Sequence, residues 1–390
     1  MAFGLIPEDS RTDMKIVCDN KIPFLKGVLE PYAEVVYLPG KETGPDVVRD
    51  ADAIITRTRT KCDASLLEGS SVKVIATATI GFDHIDTAWC ESHGIVWKNA
   101  PGCNSWSVKQ YMGSVLSTLA RMHGFDLSGM TLGVVGVGNV GSKVAEIASL
   151  LGMKVLLNDP PRARREGQDG FVTLDEIIAG SDIITLHVPL SREGEDATWH
   201  LFGEERISRL RPGQILMNSS RGSVVDNAAL KKALKNRSIG GAVLDVWEHE
   251  PDIDTELMGL LDVATPHIAG YSADGKANGT TASVRTVAKY LGLPLTDWAP
   301  ARMPLPAQSL EFSVDASGKS QQEVLSEAIL HTYDVLSDDK ALREHPESFE
   351  KLRGDYPVRR EFTAFSVRLD GGTQEEADIL RKIGFNLTNK

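Results

Sequence analysis

The chain has few cysteines and no long apolar segment. Only four of its 390 residues are cysteines (Cys18, Cys62, Cys90 and Cys103), and no two of them form a C-x-x-C pair. So few cysteines exclude a disulfide scaffold and are typical of a reducing compartment, so we expect a cytoplasmic protein. No apolar run approaches the roughly 18 residues of a membrane span, so we expect no membrane association.

Basic residues are also in deficit. The 42 Lys and Arg residues are outnumbered by 54 Asp and Glu residues, which gives a formal net charge of −12. A chain of this charge has no general positive field for nucleic acid, so any anionic ligand must be bound by a local site. The composition excludes a disordered chain, and the length predicts two or three domains. Residues 1–13 lack signal-peptide features, and Met14 is a candidate natural start.

Short apolar runs alternate with helical stretches along most of the chain. They lie at residues 15–18, 35–38, 53–56, 72–76 and 95–97, and then at 131–135, 154–157, 183–187, 214–218, 241–244 and 263–264. This βαβ rhythm predicts parallel sheets covered by helices on both faces. We therefore expect an α/β fold with two doubly wound parallel-sheet domains.

Domain boundaries follow from the helices and the prolines. A helix predicted over 273–291 returns the chain to the first domain, which is therefore expected to be discontinuous, over 14–104 and 274–300. The second domain is expected over 105–273. Four prolines between residues 293 and 306 mark a linker, and residues 305–390 suffice for a small C-terminal α/β domain. In it we predict a strand at 309–314, a helix at 321–336 and a βαβ-like segment at 362–387.

The segment 133–141 joins a buried strand to a G-x-G-x-x-G motif and then to a helix. Glycines at these positions allow a tight turn, the approach of a pyrophosphate and close helix packing, which is the Rossmann fingerprint of a dinucleotide site. The predicted cofactor residues of this motif are Gly136, Gly138, Asn139, Val140 and Gly141.

The next strand ends at Asp159, the position at which an acid binds the adenosine ribose. A carboxylate there would repel a 2′-phosphate, which favours NAD over NADP. Arg162, Arg164 and Arg165 follow closely, and they leave NADP open as an alternative. The simpler interpretation of these arginines is a solvated basic turn.

Three neighbouring strands are followed by an Arg, an acid and a His. Because parallel strands present their carboxyl ends at one edge, we expect Arg221, Glu250 and His267 to converge. Together they suit oxidation of a 2-hydroxy acid: Arg221 binds the carboxylate, His267 accepts the hydroxyl proton, and Glu250 orients the imidazole. Glu248 is the alternative acid. His187 is a second candidate base, although we assign it to the cofactor pocket. No histidine has metal-ligand spacing, so we expect no metal.

The blocks at 136–141, 220–226, 244–251 and 266–270 resemble the signature blocks of the D-isomer-specific 2-hydroxyacid dehydrogenases. The resemblance implies a flavodoxin-like substrate domain beside a Rossmann NAD domain, and it selects Glu250 over Glu248. It also implies that the nicotinamide end is lined by Ser219, Ser220, Arg221, Asp245 and Gly270, with His187 and Val188 nearby. Val188 stands where members of the family can have a Thr, so any contact from it must come from its backbone.

Blocks at 76–84, 100–104, 159–163 and 267–271, with the C-terminal domain, resemble family members that oxidise a phosphorylated four-carbon acid on the route to pyridoxal 5′-phosphate. This resemblance implies that Thr58, Thr79 and Tyr271 contact the substrate and that the C-terminal domain forms a homodimer. Thr58 replaces a typical Ser but keeps the hydroxyl.

A phosphorylated substrate also needs cations. We therefore expect Arg57 to contribute, together with Arg359 or Arg360 from a partner subunit. Two alternatives stay open: another substrate, such as 3-phosphoglycerate, glycerate or lactate, and an NAD(H)-sensing binding protein like the corepressors that share this fold.

Overall fold

The computed structural model describes residues 14–388, and the candidate start-site extension at residues 1–13 lies outside them. The chain forms two compact units. The first comprises the residues up to Asn104 together with Ala273–Met303, and the second comprises Ser105–Ser272 together with the residues from Pro304 onward. Among the described residues, no helix is both long and apolar enough to cross a membrane.

The strands are β1 (Lys15–Asp19), β2 (Glu34–Leu38), β3 (Ala53–Thr56), β4 (Val74–Thr77), β5 (Val96–Lys98), β6 (Thr131–Val135), β7 (Lys154–Asn158), β8 (Ile183–Leu186), β9 (Ile215–Asn218), β10 (Gly241–Leu244), β11 (Val263–Ala264), β12 (Glu311–Asp315), β13 (Ser366–Asp370) and β14 (Asn386–Leu387).

The helices are α1 (Pro45–Val48), α2 (Ala64–Leu67), α3 (Thr87–Ser92), α4 (Ser105–His123), α5 (Asn139–Leu150), α6 (Pro160–Glu166), α7 (Leu174–Gly180), α8 (Glu204–Ser208), α9 (Asn227–Lys235), α10 (Thr255–Met258), α11 (Ala273–Leu291), α12 (Gln321–Thr332), α13 (Val335–Glu344), α14 (Phe349–Gly354) and α15 (Gln374–Ile383).

The first unit is built on a parallel sheet of order β2-β1-β3-β4-β5, the flavodoxin-like order. Its β-strands are rich in Val and Ile because both faces are covered. Helix α11 packs beside β4, and this requires Gly279, since a Cβ there would lie 2.4 Å from the carbonyl oxygen of Ala78. The predicted flavodoxin-like domain is confirmed.

The second unit contains a parallel sheet of order β11-β10-β9-β8-β6-β7. The chain order reverses between β6 and β8, and in open α/β sheets this switch point is where ligands bind. Beyond β7, the N–H of Val172 donates to the carbonyl oxygen of Leu157 at 2.8 Å, so a short segment takes the place of a further strand. The predicted doubly wound Rossmann-like sheet is confirmed.

The C-terminal segment adds a small parallel sheet of order β12-β13-β14. Its helix α12 packs against α4, and the two share one hydrophobic core. The single helix predicted over 321–336 is wrong, because the chain breaks at Tyr333 and Asp334. Tyr333 is extended, and the Asp334 carboxylate accepts a hydrogen bond from the N–H of Leu336 to start α13.

Helix α13 covers the open edge of the six-stranded sheet. The N–H of Ala264 in β11 donates to Asp339 Oδ1 at 2.7 Å, which satisfies an edge group that would otherwise be unpaired. Arg343 pairs with Asp339 and donates to the carbonyl oxygens of Met258 and Leu261 at 2.8 and 2.9 Å. The C-terminal segment is thus integrated into the second unit.

Candidate active site

The turn after β9 carries Arg221. The buried side chain of Asn218 holds this turn: its Oδ1 accepts hydrogen bonds from the Ser220 N–H and hydroxyl at 3.0 and 2.8 Å, and its Nδ2 donates to the carbonyl oxygen of Arg221 at 2.8 Å. The Ser219 hydroxyl is shielded from solvent, with no hydrogen-bond partner within residues 14–388. Arg221 Nη1 donates to the carbonyl oxygen of Ser220. The arginine is therefore held half-buried at the carboxyl edge of the sheet.

Glu250 and His267 form the pair that the sequence predicts. Glu250 Oε2 lies 2.8 Å from His267 Nδ1, and Oε1 accepts a hydrogen bond from the N–H of Trp247 at 2.9 Å. Burial raises the pKa of Glu250. Its hydrogen bond to His267 and the charges of His267 and Arg353 lower the pKa by a larger amount, so the net pKa lies below the ordinary value. An ionised carboxylate only accepts hydrogen bonds, so Nδ1 carries the proton and Nε2 has the free lone pair.

Asp245 fixes the loop that carries His267. Its buried carboxylate accepts hydrogen bonds from the Ile268 N–H at 2.7 Å, the Ala269 N–H at 2.9 Å and the Thr265 hydroxyl at 2.7 Å. His267 itself has a positive φ of 58°, a backbone conformation that costs free energy in a residue with a Cβ. The Asp245 carboxylate compensates for this cost by binding the two following N–H groups.

Glu248, the alternative acid, points elsewhere. Its Oε1 lies 2.8 Å from His200 Nε2, and its Oε2 accepts a hydrogen bond from the N–H of Asn227 at 2.9 Å. Glu248 therefore belongs to a separate polar cluster with His200. The geometry supports Glu250 as the partner of His267.

The G-x-G-x-x-G turn is closely packed on one side and open on the other. A Cβ at Gly141 would lie 1.9 Å from the carbonyl oxygen of Gly136, and one at Gly136, which has a φ of 86°, would lie 2.6 Å from the carbonyl oxygen of His187. A Cβ at Gly138, in contrast, would meet nothing within 4 Å. Asn139 and Val140 begin α5, whose N-terminus has no side-chain cap. This open cradle fits a dinucleotide pyrophosphate.

Asp159 lies at the end of β7, beside this turn. Its two oxygens accept hydrogen bonds from the Val137 N–H at 2.8 Å and the Arg162 N–H at 3.0 Å. The three arginines of the NADP alternative are ion-paired: Arg162 and Arg165 with Glu166, and Arg164 with acids of the 195–196 loop. These ion pairs compete with a 2′-phosphate and favour NAD.

His187 and Val188 follow β8 beside the glycine turn. The pKa of His187 is lowered to about 3 by burial, so the imidazole is neutral. Its Nε2 lies 2.9 Å from the Thr185 hydroxyl, whereas Nδ1 is shielded and has no partner within the described chain. The Val188 side chain faces Gly136. An unpaired polar atom at this position fits a pocket that a cofactor completes.

Two predicted substrate residues lie in the first unit. Thr58 and Thr79 follow β3 and β4, two paired strands whose ends are at the same sheet edge. Thr58 is exposed, and the Thr79 hydroxyl lies 2.8 Å from that of Thr77 and donates to the carbonyl oxygen of Gly81. Arg57, half-buried beside them, donates to the carbonyl oxygen of Lys21 at 3.4 Å.

The C-terminal segment packs against the loop that follows His267. The rings of Tyr271 and Tyr356 form a T-shaped pair with their centres 5.7 Å apart, and Arg359 donates to the carbonyl oxygen of Ala269 at 2.6 Å. Arg359 is 4% exposed, so the expectation that it reaches a partner's substrate is wrong: its guanidinium is enclosed within its own chain. Arg360, half-buried, donates to the carbonyl oxygen of Pro304.

Asp338, at the centre of this packing, accepts hydrogen bonds from the hydroxyls of Tyr333 and Tyr356, both at 2.7 Å. Burial raises the pKa of Asp338 despite these two hydrogen bonds and the charge of Arg359. The Arg359 guanidinium lies 4.5 Å from the centre of the Tyr333 ring. This network could not be predicted from the sequence, because Asp338 and Arg359 are more than 60 residues from Ala269 along the chain.

Two families match the chain. Residues 98–269 match the D-isomer specific 2-hydroxyacid dehydrogenase, NAD binding domain, and residues 305–384 match a domain of unknown function, DUF3410. The chain is 50% identical over 355 residues to the erythronate-4-phosphate dehydrogenase of Bacteroides fragilis, which covers 91% of this chain and 99% of that protein.

Solved structures show the same fold. The D-lactate dehydrogenase of Aquifex aeolicus, complexed with NAD and lactic acid, is 28% identical with a TM-score of 0.61, covering 71% of this chain and 95% of that one. The NAD-bound 3-phosphoglycerate dehydrogenase of Entamoeba histolytica is 27% identical with a TM-score of 0.61, covering 75% and 100%. The chain belongs to the D-isomer specific 2-hydroxyacid dehydrogenase family, together with relatives named erythronate-4-phosphate dehydrogenase.

The family membership, the α/β fold class and the NAD cofactor predicted from the sequence are confirmed. The roles of the individual site residues stay predictions, and the structure adds their geometry. Among residues 14–388 no group of three or more His, Cys, Asp or Glu side chains is arranged to hold a metal ion.

Proposed function

We propose that the protein is an NAD-dependent dehydrogenase that oxidises 4-phospho-D-erythronate at its C2 hydroxyl to the corresponding 2-oxo acid, a step on the route to pyridoxal 5′-phosphate. The observation that carries the chemistry is the 2.8 Å contact between Glu250 and His267 at the carboxyl edge of the second sheet. The substrate is supported by relatives named for it that match over nearly their whole length.

His267 is the general base in this proposal. Its Nδ1 donates to Glu250, so the lone pair of Nε2 accepts the proton of the C2 hydroxyl. The developing imidazolium is stabilised by the ionised Glu250 carboxylate, whose pKa His267 and Arg353 hold down against the effect of burial. Asp245 keeps the imidazole in place by binding the backbone of the same loop.

Arg221 binds the substrate carboxylate, because a guanidinium can form two parallel hydrogen bonds with it. This fixes C2 relative to Nε2 of His267. Thr58, Thr79 and Tyr271 contribute hydroxyls that suit a polyol phosphate. The phosphate also needs a cation, and Arg57 is the candidate in the first unit.

NAD⁺ bound at the glycine turn accepts the hydride that leaves C2. Gly136, Gly138, Asn139, Val140 and Gly141 hold its pyrophosphate, and Asp159 its adenosine ribose. We assign the nicotinamide end to residues around the catalytic turns, namely His187, Val188, Ser219, Ser220, Arg221, Asp245 and Gly270.

We propose further that residues 14–104 and 274–300 bind the substrate, that residues 105–273 bind NAD, and that the C-terminal domain over 305–390 forms a homodimer. A cytoplasmic location is consistent with four free cysteines, three of which are buried. Deep burial holds the thiol pKa of Cys18 far above its ordinary value and raises that of Cys62 to about 12, so these thiols are inert.

The test is NADH formation, followed by absorbance, from 4-phospho-D-erythronate and NAD, with 3-phosphoglycerate and D-lactate as comparisons. A parallel reaction includes a 2-oxo acid to reoxidise bound cofactor. Selective turnover of the four-carbon phosphate supports the proposal, whereas preference for another acid retains the chemistry and rejects the substrate. If no NADH forms from any of the three acids under either condition, the result favours an NAD(H)-sensing protein.

A matched pair of variants tests the base. His267→Ala should reduce kcat by about 100-fold or more and leave NAD affinity unchanged, because the imidazole acts on the proton and lies outside the glycine turn. His345→Ala, at a histidine whose side chain is 63% exposed, is the control and should retain normal turnover. Near-normal turnover by His267→Ala would rule out His267 as the base.

A further inference from the structure

Arg353 of α14 lies against the loop that carries the predicted base. Its guanidinium is 5.7 Å from the ring centre of Tyr271 and 5.9 Å from that of Phe349, a fully buried side chain. The side chain of Arg353 is 18% exposed. Arg353 therefore lies largely buried beside Tyr271, the residue to which the sequence assigns a substrate contact.

The hydrogen bonds of this guanidinium are only partly used. Nη1 donates to Glu350 Oε1 at 3.1 Å, and that glutamate side chain is 47% exposed. Nε is shielded from solvent and has no hydrogen-bond partner in the described chain. Since a shielded, unpaired N–H costs free energy, the site is incomplete until an acceptor binds.

The electrostatic surroundings keep Arg353 charged. Burial lowers its pKa, whereas Tyr271, Glu250, Glu350 and Asp245 raise it, and the net pKa is above its ordinary value. Glu250 is the partner of His267, and the positive charge of Arg353 lowers the pKa of Glu250. The cation thus lies close to the reacting groups, yet none of the contacts above ties it firmly to an acid in the interior.

Two other arginines of the C-terminal segment, Arg359 and Arg343, have fixed partners. Arg359 donates to the carbonyl oxygen of Ala269, and Arg343 is paired with Asp339 and two carbonyl oxygens. Arg221 is assigned to the substrate carboxylate. Arg353 lies beside Tyr271, and its ion-pair partner Glu350 is exposed enough to be displaced.

We propose that Arg353 binds the phosphate of the substrate, so that the C-terminal segment of the same chain completes the substrate pocket and confers selectivity for a phosphorylated acid. This inference rests on the proposed function. A phosphate oxygen would accept from Nε and from an Nη group, replacing Glu350, because the planar guanidinium matches two oxygens of a phosphate. Selectivity for phosphate would then depend on α14, which lies more than 80 residues beyond His267.

The experiment compares Arg353→Gln and Arg353→Lys with the wild type on two substrates, 4-phospho-D-erythronate and unphosphorylated D-erythronate. Arg353→Gln should reduce kcat/KM for the phosphorylated acid by about 10- to 100-fold, mainly through KM. The loss on D-erythronate should be much smaller, because that substrate has no phosphate and the variant then affects it only through the charge near Glu250. For the phosphorylated acid, the kcat/KM of Arg353→Lys should lie between those of the wild type and Arg353→Gln, because a lysine keeps the positive charge but lacks the planar guanidinium. Arg381→Gln, at an exposed ion pair with Asp378, is the control for loss of charge in the same segment.

Inhibition by inorganic phosphate provides a second measurement if turnover of D-erythronate is too slow. Phosphate should compete with the substrate in the wild type and in Arg381→Gln, and much more weakly in Arg353→Gln. Equal losses on both substrates, or unchanged phosphate inhibition in a folded Arg353→Gln, would overturn the inference. Wild-type enzyme that does not oxidise 4-phospho-D-erythronate would instead refute the proposed function.

Discussion

Arg359 donates a hydrogen bond of 2.6 Å to the carbonyl oxygen of Ala269, two residues beyond His267. The guanidinium also lies over the Tyr333 ring and near Tyr356, so the C-terminal segment holds one side of the loop while Asp245 holds the other. The position of the imidazole thus depends on two parts of the chain that are distant in sequence.

Replacement of Arg359 should therefore affect both stability and catalysis. We expect Arg359→Met to destabilise the protein by about 2–4 kcal/mol, because Ala269 loses a buried donor and Asp338 loses a nearby cation. The remaining folded enzyme should show a lower kcat, since the loop is held from one side only. Urea denaturation and initial rates measure the two effects. Arg368→Gln, at an exposed pair with Asp370, should change stability by less than about 1 kcal/mol.

The two neighbouring glutamates should respond differently. Glu250→Gln should reduce kcat strongly, because an amide cannot stabilise the imidazolium of His267 as a carboxylate does. Glu248→Gln should retain catalysis and lose only its contacts with His200 and Asn227. Steady-state rates at saturating NAD separate the two outcomes. A larger loss of kcat in Glu248→Gln than in Glu250→Gln would show that Glu248 is the acid and that the assignment to Glu250 is wrong.

The glycine turn offers a test in which folding and cofactor binding separate. Gly141→Ala should destabilise the protein by about 3 kcal/mol or more, since its Cβ would lie 1.9 Å from a backbone oxygen. Gly138→Ala has room for the methyl group and should fold normally, but the methyl would occupy the space of the pyrophosphate and raise the KM for NAD about 10-fold or more. Normal NAD affinity in Gly138→Ala would place the cofactor elsewhere.

Stability should decline in mild acid through His187. Burial lowers its pKa to about 3 in the folded protein, and the unfolded chain has a value of roughly 6.5. The unfolded state therefore binds the extra proton first, so the contribution is fully present above pH 6.5 and is lost as the pH falls toward 3. Between pH 7 and pH 5 this residue alone should account for at most about 2 kcal/mol.

His187→Gln provides the comparison, since it removes the titrating group and keeps a polar side chain beside Thr185. The urea midpoint of this variant should vary less between pH 7 and pH 5 than that of the wild type. His84, whose pKa burial lowers to about 4, still titrates in both proteins and cancels in the difference. An identical pH dependence would show that His187 is accessible to protons when folded.

The sequence was most informative where the chemistry is local. Gly136, Gly138 and Gly141 belong to one short segment of the chain, and the strand-end positions of Glu250 and His267 follow from the parallel topology. What could not be predicted were contacts made across more than 60 residues, as with Arg359 and Ala269. Asp245 was expected to line the nicotinamide end, and the structure shows in addition that it buries its carboxylate beneath the loop.

The break between α12 and α13 illustrates the same limit. The apolar pattern of residues 321–336 continues through Tyr333, and the local sequence contains no glycine or proline to stop the helix. The chain turns because the Tyr333 ring packs under Arg359 and its hydroxyl reaches Asp338. A tertiary contact here overrides helix propensity.

The covering of β11 by α13 has a consequence for the order of events during synthesis. The hydrogen bond from Ala264 to Asp339 forms only when residues made long after the sheet have left the ribosome. Until then the nascent chain carries an unprotected strand edge and a loop that lacks its second support. We therefore expect incomplete chains to be more prone to aggregation than the full chain, because their strand edge is not yet covered.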